Sequence, residues 1–204
     1  QGGCRVISTL FCPIFLEPEH LMADMGRGRY INMNGGFGDM KDMDYTTVAE
    51  RVITGIKKGA FLTVRAGGDL NTMTIGWATI GYIWRKPVMM VAVRASRHTF
   101  GIIERADDFT VSVPSTDMSD AISFCGTRSG RDCDKFKECS LTAAPARHVD
   151  SPVVETPGIH LECRIFYKTP MSAAFLNEEC RSSIYSDNDF HTLYFGEIKA
   201  CYET

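Results

Sequence analysis

The stretch AFLTVRAGGDLNTMTIGWATI, residues 60–80, predicts two β-strands joined by a tight turn. Ala60 to Arg65 and Asn71 to Ile80 are rich in apolar and β-branched residues, which favour strands. Gly67, Gly68 and Asp69 between them are typical turn residues. We therefore expect a β-hairpin over residues 60–80.

A helix is predicted immediately before this hairpin. Thr47 and Glu50 have the spacing of a capping box. Gly59 ends the predicted helix after two lysines that suit the negative end of its dipole. Apolar residues on one helical face then point to the core: Val48, Val52, Ile53 and Ile56.

The rest of the chain continues as short strands with a few helices. Short helices are predicted over Thr99–Arg105 and Ser119–Cys125. Strands are predicted over Val88–Val93, Phe109–Val113, His160–Tyr167, Ser172–Cys180 and Thr192–Cys201. The expected fold class is mainly β with helical additions, as a β-barrel.

The charge and the cysteine content argue against two classes of function, nucleic-acid binding and metal binding. A net charge of −3 and a pI near 6.0 do not suit a nucleic-acid binder. The eight cysteines include no C-x-x-C pair, so we expect reduced thiols in a cytoplasmic protein and no metal site. The one grouping with a spacing worth a metal assay is Cys125, Cys133 and Cys139.

Residues 1–39 lack a periodic core pattern and are expected to form an N-terminal extension outside a functional domain of residues 40–204. The alternative is an arm that packs on a partner subunit. The apolar run Val6–Leu16 is too short to span a bilayer, which needs about 20 residues. We expect no membrane association.

Three segments suggest a ligand site. In a strand over Asn71–Thr79, Met73, Ile75 and Trp77 would share one face. The opposite face carries only small side chains, so a flat ring could approach the backbone there. The alternative is an ordinary strand, with Thr for its β-propensity and Gly at a bulge. These small residues are Thr72, Thr74, Gly76 and Ala78.

The second segment, Val93–Thr99, lies between a strand and a predicted helix. Arg94, Ser96, Arg97 and Thr99 offer charged and hydroxyl donors that suit a phosphate. A solvated turn with a helix-capping hydroxyl is the alternative.

The third segment is the loop Ser129–Phe136. It offers donors at Ser129, Arg131 and Lys135 and a free backbone at Gly130; an exposed loop with internal ion pairs is the alternative. The chain has no Walker motif and no G-x-G-x-x-G after a strand. A nucleotide would need another kind of site.

Taken in order, these segments resemble the flavin reductase-like proteins, and the flavoredoxin branch most of all. The resemblance covers roughly residues 43–201. It rests on the following motifs: Asn71–Trp77, Lys86-Pro87, Val93–Thr99, Phe109–Pro114, Ser129–Asp132 with Lys135-Phe136, Glu162-Cys163 and His191–Ile198.

The resemblance implies an FMN-binding split β-barrel and a homodimer that holds FMN without a covalent bond near the subunit interface. Residues near the flavin ring would be Asn71, Thr72, Met73, Thr74 and Trp77. Residues around the phosphate would be Arg94, Ser96, Arg97 and Thr99, closed over by Ser129, Gly130, Arg131, Asp132 and Lys135. His191 would lie near the open ring face as a catalytic residue, or else be structural.

Three functions fit this reading. The first is a flavin reductase that uses NADH or NADPH as substrate. The second is an electron carrier that exchanges electrons with a protein donor or acceptor, and the third is an FMN-binding module without redox activity.

Bulky residues crowd one strand and the loop after it, which favours a subunit interface over the cap of a monomeric barrel: Trp77, Ile80, Tyr82, Ile83 and Trp84.

Overall fold

The computed structural model describes residues 40–204, so the extension predicted over residues 1–39 lies outside the described residues. The helices are α1 (Tyr45–Lys58), α2 (His98–Ile103), α3 (Ser119–Thr127), α4 (Lys135–Glu138) and α5 (Glu178–Ile184), with a 3-10 turn at Ala173–Phe175. The strands are β1 (Lys41–Asp42), β2 (Ala60–Ala66), β3 (Asp69–Ile75), β4 (Ala78–Ile83), β5 (Lys86–Arg94), β6 (Asp108–Pro114), β7 (Ala143–Ala144), β8 (Val153–Val154), β9 (Gly158–Pro170) and β10 (His191–Glu203). The predicted mainly-β class with helical additions is confirmed.

The main sheet is antiparallel, in the order β3-β2-β6-β9-β10-β5-β4. Its two edge strands, β3 and β4, are consecutive in the chain and are joined only by Gly76 and Trp77. The Cα atoms of Ile75 and Ala78, which end and begin these strands, can therefore be at most about 11 Å apart. The sheet must therefore curl until its edges meet, yet the edges do not pair with each other. The result is a barrel that is open along one seam.

The predicted hairpin is therefore only partly right. Strand β3 pairs with β2 from Asp69 to Ile75, but the chain breaks at Gly76. From Ala78 onward it pairs with β5 at the other edge of the sheet. The strand pattern alone does not reveal this change of partner, because both halves carry the same apolar and β-branched residues.

Helix α1 packs its apolar face into the barrel. Val48, Val52 and Ile56 are buried, as predicted, whereas Ile53 is 44% exposed. The predicted capping box is wrong: Asp44 caps the helix, and its carboxylate accepts the backbone N–H of Thr46 at 2.8 Å. A cap three residues earlier moves the start of the helix to Tyr45.

Outside the barrel, α3 and α4 cover strand β2 through a second apolar cluster. Its buried members are Phe61, Cys125 and Val154. This packing places the loop between α3 and α4 above the first part of β3, where Gly130 lies against Asn71. None of the helices among residues 40–204 combines the length and apolar character needed to span a bilayer.

The strand predicted over Ser172–Cys180 is wrong. This segment forms the 3-10 turn and the start of α5, which Asn177 caps by accepting the backbone N–H of Cys180 at 2.8 Å. Asn and Glu residues at 177–179 are helix-start signals. They outweigh the short apolar run Ala173–Leu176 that precedes them.

Candidate functional site

Two adjoining cavities lie at the open seam of the barrel. The larger has a volume of about 470 Å³ and the smaller about 120 Å³. Met73, Ser96 and Arg97 line both cavities. One ligand with a wide end and a compact end can therefore occupy them together.

The larger cavity is built where the two sheet edges meet. Its wall includes the end of β3, the Gly76-Trp77 link and the facing side of β5. Among the predicted ring-side residues, Met73, Thr74 and Trp77 line it. Ile75 and Gly76, from the same predicted segment, line it as well, whereas sequence analysis did not select Ala92, Asp187 and Asp189.

Thr72 does not line either cavity. It is fully buried, and its hydroxyl accepts a hydrogen bond from Thr63 and donates to the carbonyl of Leu62. The Thr74 hydroxyl donates to the Ile122 carbonyl of α3 at 2.5 Å. Helix α3 therefore covers the small-residue face of β3 that was expected to receive a ring, and the cavity opens at the end of the strand instead.

The smaller cavity gathers the predicted phosphate residues from two segments. The predicted phosphate residues that line it are Ser96, Arg97, Thr99, Ser129, Gly130, Arg131 and Lys135, together with His98, Cys125, Gly126, Thr127 and Arg128. Asn71 was predicted to lie near the ring, but it lines the smaller cavity and not the larger one. Thr127 and Arg128 directly precede the predicted loop motif, and their hydroxyl and charge would have been a signal for including them. Asp132 lines a separate cavity on the outer side of this loop.

Lys135 is the buried cation of the smaller cavity. It is 4% exposed, and its Nζ donates to the carbonyl of Cys125 at 2.7 Å. Burial lowers the pKa of Lys135. An ammonium group has three donors, and among residues 40–204 only this one hydrogen bond uses them. Two donors remain for an anion.

Gly130 makes the closest backbone approach in this cavity. A Cβ at this position would lie 2.4 Å from Asn71 Oδ1 and 2.7 Å from His98 Cδ2. Asn71 is itself fixed, because its Nδ2 donates to the Thr99 hydroxyl at 2.8 Å. Only glycine therefore allows the loop to pass this closely over β3 and α2.

The arginines of the site have different surroundings. The side chain of Arg97 makes one hydrogen bond within the described part of the chain, to the Gly126 carbonyl at 3.3 Å, and that of Arg131 donates to the Ser96 carbonyl at 3.1 Å. Neither has a carboxylate partner among the described residues. Both guanidinium charges are available to an anion.

Arg94, in contrast, lines only the larger cavity and is paired there. Its Nη1 lies 3.1 Å from Asp187 and 3.6 Å from Asp189. Asp189 also accepts hydrogen bonds from the backbone N–H and the hydroxyl of Ser96. Arg94 therefore does not line the smaller cavity, where most of the predicted phosphate residues lie. Its positive charge is paired instead with Asp187 and Asp189 in the turn before β10.

His191 stands in the wall of the larger cavity beside Trp77, with ring centroids 4.8 Å apart. Burial lowers its pKa to about 4, and the positive charge of Arg94 acts in the same direction. The imidazole is therefore neutral at neutral pH. A neutral imidazole offers one donor and one acceptor nitrogen.

The cysteine grouping does not form a metal site. Among residues 40–204 no cluster of three or more His, Cys, Asp or Glu side chains converges in a way that could hold an ion. Burial raises the pKa of the Cys125 thiol to about 12 and also raises that of Cys139. The six described cysteines are all free thiols.

Comparison with known proteins identifies the class to which this fold and site belong. The family model described as flavin reductase like domain matches residues 57–204. The chain therefore belongs to the flavin reductase-like domain family, as the sequence motifs predicted.

Solved structures share the fold. The flavoredoxin of Desulfovibrio vulgaris (Miyazaki F) is 23% identical, with a TM-score of 0.57 over 72% of this chain and 69% of that one. An FMN-binding domain of a flavin reductase-like enzyme from Shewanella baltica OS155 is 16% identical, with a TM-score of 0.61 over 81% and 77%. A protein with a split barrel domain from Shewanella frigidimarina NCIMB 400 is 16% identical, with a TM-score of 0.58 over 79% and 75%. The predicted split β-barrel is confirmed.

Proposed function

We propose that this protein is an oxidoreductase that binds one FMN without a covalent bond. Its phosphate occupies the smaller cavity and its isoalloxazine ring the larger. The proposal rests on the buried Lys135, which has two donors unused by any other residue in 40–204. Arg97, which has no carboxylate partner in the same range, stands at the junction of the two cavities. A compact anion joined to a wider group fits this arrangement.

The charges support a phosphate monoester. Such a group carries about −1.5 to −2 charges at neutral pH. Lys135, Arg97 and Arg131 together supply three positive charges around the smaller cavity. Hydroxyl groups of Thr99, Thr127 and Ser129 line the same space and add hydrogen-bonding capacity.

The larger cavity suits a flat aromatic ring. Its volume of about 470 Å³ is within the usual range of small-molecule sites, about 300–1,000 Å³. Trp77 and the neutral His191 provide flat walls. When bound, the flavin supplies the redox chemistry, and the protein contributes placement and electrostatics. The site therefore needs no catalytic acid or base.

Titration of the flavin-free protein tests the ligand. We expect FMN to bind more tightly than FAD, because the smaller cavity has room and charge for a single phosphate. Riboflavin should bind more weakly than FMN, since it leaves the three cations unpaired. Tighter binding of FAD than of FMN would contradict the proposal.

An electron donor would reach the bound ring from the open side of the larger cavity. We propose that NADH or NADPH reduces the bound FMN directly; reduction by a protein donor is the alternative, which would make the chain a flavoredoxin-like carrier. Stopped-flow mixing with NADH, NADPH or a reduced ferredoxin, monitored as bleaching of the flavin, separates the two. A flavin that bleaches only with the protein donor would assign the chain to the carriers, and one that none of the donors bleaches would leave a binding module.

We also propose that the working unit is a homodimer. A mainly aromatic patch on the barrel surface, called here the aromatic patch, consists of Tyr82, Ile83, Trp84, Phe166 and Tyr167. Tyr82 is 66%, Trp84 60% and Tyr167 42% exposed, and Phe166 is half-buried. Trp84 contacts Phe166 and Tyr167 edge-on, at 5.8 and 5.4 Å between ring centroids. A contiguous exposed apolar patch is typical of an interface, and a second copy of the chain would cover it.

A further inference from the structure

Tyr185 lies directly behind His191, next to the larger cavity. It follows α5 and is 4% exposed, and its hydroxyl oxygen is 2.9 Å from His191 Nδ1. Its ring stacks on Phe190 at 5.1 Å and meets Trp77 edge-on at 6.5 Å. These contacts hold the hydroxyl in place, so the hydrogen bond to the imidazole has a fixed direction.

The proton positions in this pair follow from their environments. Burial raises the pKa of Tyr185, so the phenol keeps its proton at neutral pH. The hydroxyl also lies 3.2 Å from the Met171 sulfur, but a thioether is a weaker acceptor than an imidazole nitrogen. The single phenol proton therefore goes to Nδ1. A neutral imidazole that accepts at Nδ1 carries its own proton on Nε2.

Nε2 of His191 is the nitrogen that remains for a ligand. It has no hydrogen-bond partner among residues 40–204, and no buried side-chain nitrogen or oxygen in this part of the chain lacks a partner. Nε2 is therefore accessible, and the residue lines the larger cavity. It offers an N–H donor to whatever occupies that space.

We infer that Tyr185 is a positioning residue that fixes His191 as a neutral Nε2–H donor toward the larger cavity. This inference rests on the proposed function for its consequence. A donor aimed at the ring compartment stabilises the negative charge that a flavin gains on reduction. Loss of the Tyr185 hydroxyl should therefore lower the midpoint potential of bound FMN through His191.

The tautomer is tested directly by nitrogen NMR on histidine-labelled protein, with His191→Gln to assign the signal. We expect wild-type His191 to be protonated on Nε2 and not on Nδ1. Tyr185→Phe keeps the ring contacts and removes only the hydroxyl, so it should give a mixture of both tautomers. A wild-type imidazole protonated on Nδ1, or an unchanged tautomer in Tyr185→Phe, would overturn the inference.

A double-mutant cycle tests the action through His191. Tyr185→Phe should shift the midpoint potential of bound FMN to a more negative value in the wild-type background and cause no further shift in a His191→Ala background. Tyr45→Phe removes a hydroxyl at the start of α1, outside both cavities, and it should leave the potential unchanged. Equal shifts in both backgrounds, or no shift in either, would contradict the positioning role.

The proposed FMN-binding function and the positioning role of Tyr185 can be contradicted independently of each other. If the wild-type protein binds no FMN, the proposed function is wrong. The NMR experiment then still reports on Tyr185 and His191 in the flavin-free protein, where the tautomer alone decides the inference.

Discussion

The ammonium group of Lys135 donates a hydrogen bond to the carbonyl of Cys125 at 2.7 Å, and so joins the start of α4 to the end of α3 beneath the smaller cavity. This bond fixes a buried cation at the floor of the proposed phosphate site. Lys135→Met should lower FMN affinity by at least tenfold, because a charge-assisted contact is worth about 1.5–3 kcal/mol. Lys137→Met, which removes an exposed lysine from the same helix, should leave affinity unchanged. Calorimetric titration measures both, and equal affinities in the two variants would exclude Lys135 from the site.

The two arginines before α2 should have distinguishable effects. Arg97→Ala should weaken FMN by about 1.5–3 kcal/mol and hardly affect riboflavin, because the missing partner is the phosphate. Arg94→Ala should weaken FMN and riboflavin alike, since Arg94 holds Asp187 and Asp189 in the wall of the larger cavity. Parallel titrations with both ligands check this contrast. A phosphate-specific loss in Arg94→Ala would restore it to the phosphate site.

Gly130→Ala should displace the loop over the smaller cavity, because the added Cβ would overlap Asn71 and His98. We expect a clear loss of FMN affinity with the fold retained. Gly101→Ala is the matched control: nothing lies within 4 Å of a Cβ there, and the residue is in α2. This control should stabilise the protein by about 0.5–1 kcal/mol. Thermal unfolding and flavin titration separate the two outcomes.

Trp84 tests the proposed dimer. It occupies a turn between β4 and β5 with φ 51°, a left-handed conformation that favours glycine. Trp84→Gly should therefore relax the monomer backbone while removing the largest ring of the aromatic patch. We expect the free energy of dimer dissociation to fall by on the order of 2 kcal/mol, as measured by sedimentation equilibrium.

Phe175→Ala is the control. It removes a ring that is 91% exposed outside the aromatic patch, and it should not change the association state. A wild-type protein that stays monomeric would refute the proposal.

Stability should fall with acid through a buried histidine. Burial lowers the pKa of His160 to about 4, and its ring bonds the hydroxyl of Ser112 and the carbonyl of Thr156. Between pH 6.5 and 4 the unfolded chain binds the proton more readily, so the free energy of unfolding decreases as pH falls through this window. The full effect is on the order of 3 kcal/mol. His160→Gln should make the pH dependence of urea unfolding less steep, and part of it should remain because the pKa of His191 is also lowered to about 4. His148→Gln at an exposed position should not have this effect. A slope unchanged by His160→Gln would show that other groups cause it.

Some features follow from local sequence alone. The glycine that ends α1, the strands β2, β5 and β6 and most of the buried face of α1 are predicted nearly to the residue. Helical periodicity marks the core face of α1, apolar runs mark β2 and β5, and alternation marks β6. The loop Ser129–Lys135 is predicted as a donor-rich segment for the same kind of reason: its chemistry is contained in consecutive residues. The N-cap at Asp44 was missed because Thr47 and Glu50 offered a competing local signal.

The ligand site required the tertiary structure, because its parts are distant in the chain. The sequence determined a mainly-β domain, a family and a set of donors in the 71–77, 93–99 and 129–135 segments. Only the fold decided that β3 and β4 lie at opposite edges of one sheet, so that the seam between them opens at Gly76. Only the fold decided that Asp187 and Asp189 neutralise Arg94 and that Tyr185 stands behind His191. Strand pairing and ion pairing depend on which residues meet in space, and a periodic pattern specifies the face a residue takes but not its partner across the sheet.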